Sequence, residues 1–128
     1  MKIFVDIKFH DDSSNKELIE EIVNIVENDS NKVISMARDY ENWGKVKLEP
    51  KKLMKITFEE INKDDMLLVE FSEKGVGLGI EAGYAYAKGI PIIVIAKTGS
   101  DISNTIRGIA KEVVFYKDIK GIKNKLKL

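Results

Sequence analysis

Cysteine is absent from the 128 residues, which removes disulfides, thiolate nucleophiles and cysteine-ligated zinc together. Histidine occurs once, at His10, so a metal centre built from several imidazoles of one chain is excluded too. No apolar run approaches the ~20 residues of a membrane-spanning helix. The opening stretch MKIFVDIKFHDD also lacks the basic-then-apolar order of a secretory signal. An excess of either charge is missing: 21 Lys and Arg balance 21 Asp and Glu, for a net charge of zero. Such a chain lacks the electrostatic footprint of a protein that binds a nucleic-acid polymer. The expectation is one cytoplasmic domain spanning 1–128, with neither membrane nor nucleic acid as partner. Arginine is scarce as well, limited to Arg38 and Arg107, and a lysine-rich chain can reserve arginine for planar, bidentate work.

What is present is alternation. Lys2 to Phe9 reads as a first strand. Ser14 and Glu17 then form a capping-box pattern, followed by Leu18, Ile19, Ile22, Val23, Ile25 and Val26 at helical spacing. A short second strand, Lys32 to Met36, leads into the polar stretch ARDYENWGKVKLEP, read as an exposed loop. Helical periodicity resumes at Leu53, Met54, Ile56, Phe58 and Ile61. DMLLVEF reads as a buried strand, Gly75 to Gly79 as a glycine-rich turn, and IEAGYAYAK as a helix that Gly89 and Pro91 stop. The runs IIVIA and EVVFY supply two more strands, separated by the helical ISNTIRGIAK. The tail places Ile119, Ile122 and Leu126 on one helical face and lysines on the other.

Five strands alternating with helices predict right-handed βαβ units and a parallel sheet covered on both faces. The expected fold is a three-layer α/β/α domain, with a five-stranded parallel sheet in the flavodoxin-like order 2-1-3-4-5. Such sheets bind ligands at the carboxyl ends of their strands, near the switch point between strands 1 and 3. That rule directs attention to GVGLGIE, where Gly75, Gly77 and Gly79 let the backbone approach a ligand. Glu81 is expected in the first helical turn, ionised by the helix dipole. Three readings remain open for this element: a weak dinucleotide fingerprint of spacing GxGxG, a tight turn with a helix-start acid, and a carboxylate nucleophile presented over the sheet.

The stretch DMLLVEFSEKGVGLGIEAGYAYAKGIPIIVIA resembles the central segment of the nucleoside 2-deoxyribosyltransferase superfamily, which includes the 2'-deoxynucleoside 5'-phosphate N-hydrolases. Asp65 opens the strand, Glu81 follows 16 residues later, and Gly77, Gly79, Gly83, Ala85 and Pro91 fall on the family's pattern. ISNTIRGIA is similar to the hydrolases' phosphate-binding turn, matching at Ser103, Arg107 and Gly108. The resemblance covers Asp65 to Ala110, and the N-terminal half agrees only in architecture. It implies cleavage of an N-glycosidic bond of a nucleoside or its 5'-monophosphate, with Glu81 as nucleophile and water or a second base as acceptor. Ser103, Arg107 and Gly108 would hold a 5'-phosphate, with monophosphate hydrolysis favoured. No metal or organic cofactor is implied, and the resemblance implies a homodimer.

Departures from the pattern leave the helper groups open. The family's helper Asp falls on Thr57, its first-strand Tyr on Ile3, its G-S-I-R turn on Asp6-Ile7-Lys8, and a Ser or Asp six residues before the nucleophile on Gly75. Replacement by Asp6, Asp39 or Glu41, a different substrate, and loss of catalysis are the three outcomes this allows. Trp43 or Tyr40 is a candidate to stack on a base, and Asp39 or Glu41 to protonate it; Trp43 as a loop anchor is the plain alternative. Likewise, Ser103 as a helix cap and Arg107 as the partner of a surface carboxylate compete with the phosphate clamp. A non-catalytic nucleotide-binding or sensing relative is the runner-up function. The discriminating observation is a second carboxyl within reach of Glu81. A phospho-receiver, suggested by the acidic pair in His10-Asp11-Asp12 after the first strand, is a weaker alternative, because Glu70 stands where a phosphorylatable Asp belongs and Lys97 follows the fourth strand rather than the fifth.

Overall fold

The computed structural model describes residues 1–126 and Leu128. Five strands, β1 (Lys2–Ile7), β2 (Lys32–Ile34), β3 (Met66–Glu70), β4 (Ile92–Lys97) and β5 (Glu112–Tyr116), form one sheet in the order β2-β1-β3-β4-β5. Every pairing is parallel, with Asp6 opposite Val69 and Ile7 opposite Glu70 across the central pair. The expected topology is therefore the observed one.

Helices α1 (Lys16–Val26), α2 (Met36–Asp39), α3 (Pro50–Lys63), α4 (Val76–Ala87), α5 (Asn104–Ile109) and α6 (Ile122–Leu126) cover the sheet. Strand residues alternate between two cores, as a period of two requires. Ile3, Val5, Leu68, Ile93, Ile95, Val114 and Tyr116 pack with α1 and α6. Phe4, Leu67, Val69, Ile92, Val94 and Ala96 pack with Ile61 of α3, Leu78, Ala82 and Ala85 of α4, and Ile106 of α5. Burial on both faces explains why β3 and β4 read as continuous apolar runs. Ile119, Ile122 and Leu126 are buried as the tail's pattern predicted.

Four local expectations are corrected. β1 ends at Ile7, and β2 ends at Ile34 because the Ser35 hydroxyl accepts from Arg38 N and starts α2 inside the stretch read as loop. The capping box at Ser14 is not made: α1 starts after Asn15, and no side chain caps it. The Ser14 hydroxyl instead meets His10 Nδ1 at 2.7 Å, and Asn15 bonds His10 N and the Lys8 carbonyl. These groups tie the loop to the end of β1. Finally, Gly75–Gly79 is no turn, since α4 begins at Val76 and carries Gly77 and Gly79 within it. Gly89 does end α4, with φ at +74° and its N–H on the Tyr86 carbonyl.

Candidate active site

At the carboxyl end of the sheet a cavity of about 370 Å³ opens between the end of β1, the start of α2, the inner face of α3 and the first turns of α4. The switch-point rule places it there, because β1 and β3 are joined to helices on opposite faces. Its size suits a small organic ligand. Four carboxyl groups line it, Asp6, Asp11, Glu41 and Glu81, and Lys8 is the one cation among the described residues that do so.

Asp6 occupies a β1 position whose side chain points to the α3/α4 face, as that of Phe4 does two residues earlier. It is buried, and its Oδ2 has no hydrogen-bond donor among the described residues. An unsatisfied buried oxygen is costly unless the group is neutral or awaits a partner. Burial first, then the hydrogen bond and negative charge of Glu81, hold the Asp6 carboxyl well above the usual carboxylate range. Glu81 is also raised, chiefly by burial and secondarily by the charge of Glu41, while the hydrogen bond from Asp6 acts in the opposite direction. Two buried carboxyls in hydrogen-bond contact titrate as a pair, and together they hold a proton to higher pH than an ordinary carboxyl does.

Glu81 lies in the second turn of α4, not the first, so the dipole argument for its ionisation does not apply. Its side chain folds back along the helix, as helical side chains do; a Cβ added to Gly77 would stand 3.4 Å from Glu81 Oε1. The absence of a side chain at Gly77 is what leaves that carboxyl open to the cavity. Gly75 caps α4 without a side-chain bond and lines the cavity.

Glu41 reaches the cavity from a tight turn after α2, where Asn42 and Trp43 both adopt left-handed backbone, with φ of 44° and 57°. Burial and the charge of Asp11 raise its carboxyl. Thr57 lines the cavity where the family's helper Asp falls, but its hydroxyl donates to the Leu53 carbonyl. Ile3 is sealed in the sheet interior. Asp65 accepts from Lys2 N at 2.8 Å, at the opposite end of β3 from the cavity, so its spacing to Glu81 measures a strand rather than a site.

Other candidates lie elsewhere. Asp39 is held by Arg38 Nε at 2.8 Å and by Ser35 N at 2.9 Å, facing the Glu27 side of β2 rather than Glu81. Trp43 packs against Phe9 with Lys16 above its ring, the loop-anchor arrangement. Tyr40 donates to Glu60, which pushes its phenol up to about 12. Ser103 caps α5, accepting from Ile106 N at 3.2 Å, and lines a neighbouring cleft across Gly75 and Val76. Arg107 is exposed, donates to the Ile102 carbonyl and lies over the Phe115 ring instead of meeting a surface carboxylate; Gly108 is exposed beside it. Asp11 was absent from the candidates for glycosidic cleavage; the sequence marks it only through its likeness, with Asp12, to the acidic pair of a phospho-receiver.

Among the described residues no group of three or more His, Cys, Asp or Glu is placed to hold a metal, and no helix is long and apolar enough to cross a membrane. Neither a protein-family model nor a curated protein matches the chain. Solved structures do. A CMP N-glycosidase from Clostridium botulinum, BcmB, is 21% identical with a TM-score of 0.72, over 99% of this chain and 98% of that one. A 2-deoxyribosyltransferase from the psychrotolerant Bacillus psychrosaccharolyticus is 17% identical with a TM-score of 0.73, over 97% and 91%. BlsM, known in solution, is 23% identical with a TM-score of 0.76, over 98% and 86%. The chain thus has the fold of the nucleoside 2-deoxyribosyltransferase-like proteins along its whole length.

Proposed function

We propose that this protein cleaves the N-glycosidic bond of a nucleoside or nucleotide, with Glu81 as nucleophile and Asp6 as the group that holds and moves the proton. The observation that carries this reading is the Asp6–Glu81 pair, two carboxyl groups in hydrogen-bond contact in one cavity, both held above the usual carboxylate range by burial. A binding or sensing protein has no need of such a pair. Its shared fold with a CMP N-glycosidase and a 2-deoxyribosyltransferase supports the same chemistry.

In the first step a Glu81 carboxylate oxygen bonds to C1' as the C1'–N bond breaks through an oxocarbenium-like transition state. The bonding pair leaves on the base nitrogen. As the ester forms, Glu81 loses its negative charge, so Asp6 loses the neighbour that held its proton and becomes more acidic. Its proton then passes to the departing base, directly or through water. Asp6, now ionised, takes a proton from the incoming water or second base, and attack at C1' returns Glu81 as carboxylate. The family resemblance adds a homodimer to the proposal, with either water or a second base as the acceptor.

The test is a panel of nucleosides and their 5'-monophosphates, incubated with and without a free acceptor base, with base release followed by chromatography. Release with wild type and its loss in Glu81→Gln is the expected result. A sugar-sized mass increment on the peptide carrying Glu81 would mark the ester. No release from any member of the panel, in either condition, would end the reading.

A further inference from the structure

The walls of the cavity differ in chemistry. The α4 side presents Glu81, and the β1 side presents Asp6, two acidic side chains in contact. The opposite rim adds Glu41 from the turn after α2 and Asp11 from the loop after β1. Against these stands Lys8, whose Nζ is drawn to Glu73 at 3.8 Å. The positive end of α4 also reaches the cavity, at Gly75 to Leu78, and the Glu81 carboxyl stands beside it, with Oε1 3.4 Å from where a Cβ at Gly77 would lie. The residues the sequence offered for holding a phosphate, Ser103 and Arg107, lie beyond Gly75 and Val76, with the hydroxyl engaged as a cap and Nε on a carbonyl.

Glu41 is held in this wall at a cost. Asn42 and Trp43 are consecutive non-glycine residues in left-handed backbone, an arrangement that persists only where its surroundings enforce it. Trp43 N donates to the Ala37 carbonyl, and the Glu41 carbonyl accepts from both Gly44 and Val46, closing the turn. Phe9 and Lys16 pin the Trp43 ring on its outer side. A strained turn anchored on both sides fixes the direction of Glu41 into the cavity.

We infer that Glu41 and Asp11 set the charge of the substrate, so that the site takes an uncharged nucleoside and discriminates against its 5'-monophosphate. This rests on the N-glycosidic reading above. A phosphate dianion entering the cavity meets like charge on the Glu41–Asp11 rim, where Lys8, the one cation that lines the cavity among the described residues, is already shared with Glu73; like-charge juxtaposition is an effective way to reject a competitor. A nucleoside carries no net charge, and its sugar hydroxyls and base N–H groups can donate to the same carboxyls.

The experiment compares kcat/KM for a cleaved nucleoside and its 5'-monophosphate, in wild type and in Glu41→Gln/Asp11→Asn. Wild type is expected to favour the nucleoside by at least about tenfold, and the double variant to narrow that ratio several-fold by lowering KM for the monophosphate. The ratio cancels any common loss in kcat. Preference of wild type for the monophosphate, or a ratio unmoved in the double variant, overturns the inference while leaving the Glu81 chemistry standing. Cleavage of neither compound, or of any other member of the panel, removes the chemistry and the inference with it.

Discussion

Asp6 and Glu70 end neighbouring strands of this sheet, one residue out of step in the register, and both are buried, at 8% and 3% exposure. They point to opposite faces. Glu70 looks towards α1, where Tyr116 donates to its Oε2, the Ser72 hydroxyl donates to the same oxygen at 2.9 Å, and Ser72 N donates to Oε1. The Ser72 hydroxyl in turn accepts from Lys97 N, so the network stitches β3, β4 and β5 together. Every strong acceptor there has its donor. Asp6 looks towards α4 and finds an oxygen without a donor and a second carboxyl. The two groups have the same chemistry and similar burial but different satisfaction. A saturated buried acid is a structural cross-link; an unsaturated one beside its own kind and next to a cavity is poised for chemistry.

Breaking the Asp6 side of this comparison should cost activity and leave the fold intact. Glu81→Gln keeps the shape and removes the nucleophile, so kcat is expected to fall by about 10³-fold or more, with an unchanged or raised melting temperature. A folded but merely weakened enzyme, down less than tenfold, would show that Glu81 is not the attacking group. Asp6→Asn should lower kcat by about 10²–10⁴-fold and remove the alkaline limb that Asp6 contributes to the pH–rate profile. Because its carboxyl is raised, Asp6 supplies a proton up to a higher pH than an ordinary aspartate, and activity should decline as pH rises through that value. A profile identical in Asp6→Asn would dissociate Asp6 from proton transfer.

Breaking the Glu70 side should do the reverse. Tyr116→Phe leaves a buried carboxylate short of one donor, a loss of about 1–3 kcal/mol, with kcat per folded molecule unchanged. Burial followed by the bond to Glu70 raises the Tyr116 phenol, so it remains a donor throughout the neutral range. Denaturant melts and initial rates on the same sample separate the two effects. A Tyr116→Phe protein of full stability and reduced rate would erase the distinction between the faces.

Asp64 is an intermediate case: it is buried, and neither carboxyl oxygen has a donor among the described residues. Burial, then the charge of Glu60, pushes it up to about 6. A raised carboxyl means that the folded state holds the proton more tightly than the unfolded one. Stability is therefore greatest below the unfolded value near 4, falls as pH rises through about 6, and levels off above that. Asp64→Asn should raise the melting temperature by a few degrees at pH 8, on the order of 1 kcal/mol, and have little effect near pH 4. Equal effects at both pH values would remove the titration as the cause.

How far the sequence was legible follows the same division. Period-two and helical spacing specify the sheet order and both cores, because burial on two faces leaves its mark in every strand. The glycines pointed to α4 and its Glu81, but the turn they suggested is a helix: Gly77 makes room beside the Glu81 carboxyl, and Gly79 faces open space. Asp39 and Glu41 were equivalent by composition. Only the capping of α2 by Ser35 and the left-handed backbone at Asn42 and Trp43 decide that Asp39 turns to Arg38 and Glu41 turns inward. Ser103 likewise matched a phosphate-binding pattern and a capping pattern equally, because both exploit the same first-turn N–H groups.

The smallest expected effect uses two glycines of that helix. Gly83 and Gly77 are both helical, and alanine there should gain about 0.5–1 kcal/mol from reduced unfolded-state freedom alone. A Cβ at Gly83 meets nothing within 4 Å, whereas one at Gly77 lies 3.4 Å from Glu81 Oε1. That distance is ordinary contact, so stability should rise in both. Activity should separate them: Gly83→Ala is expected to match wild type, and Gly77→Ala to lose several-fold in kcat, because a methyl group beside Glu81 Oε1 restricts the path of the carboxyl to the sugar carbon. Equal activity in the two variants would mean that the Gly77 side of Glu81 faces no substrate. The attacking oxygen would then have to be sought on the side that faces Asp6.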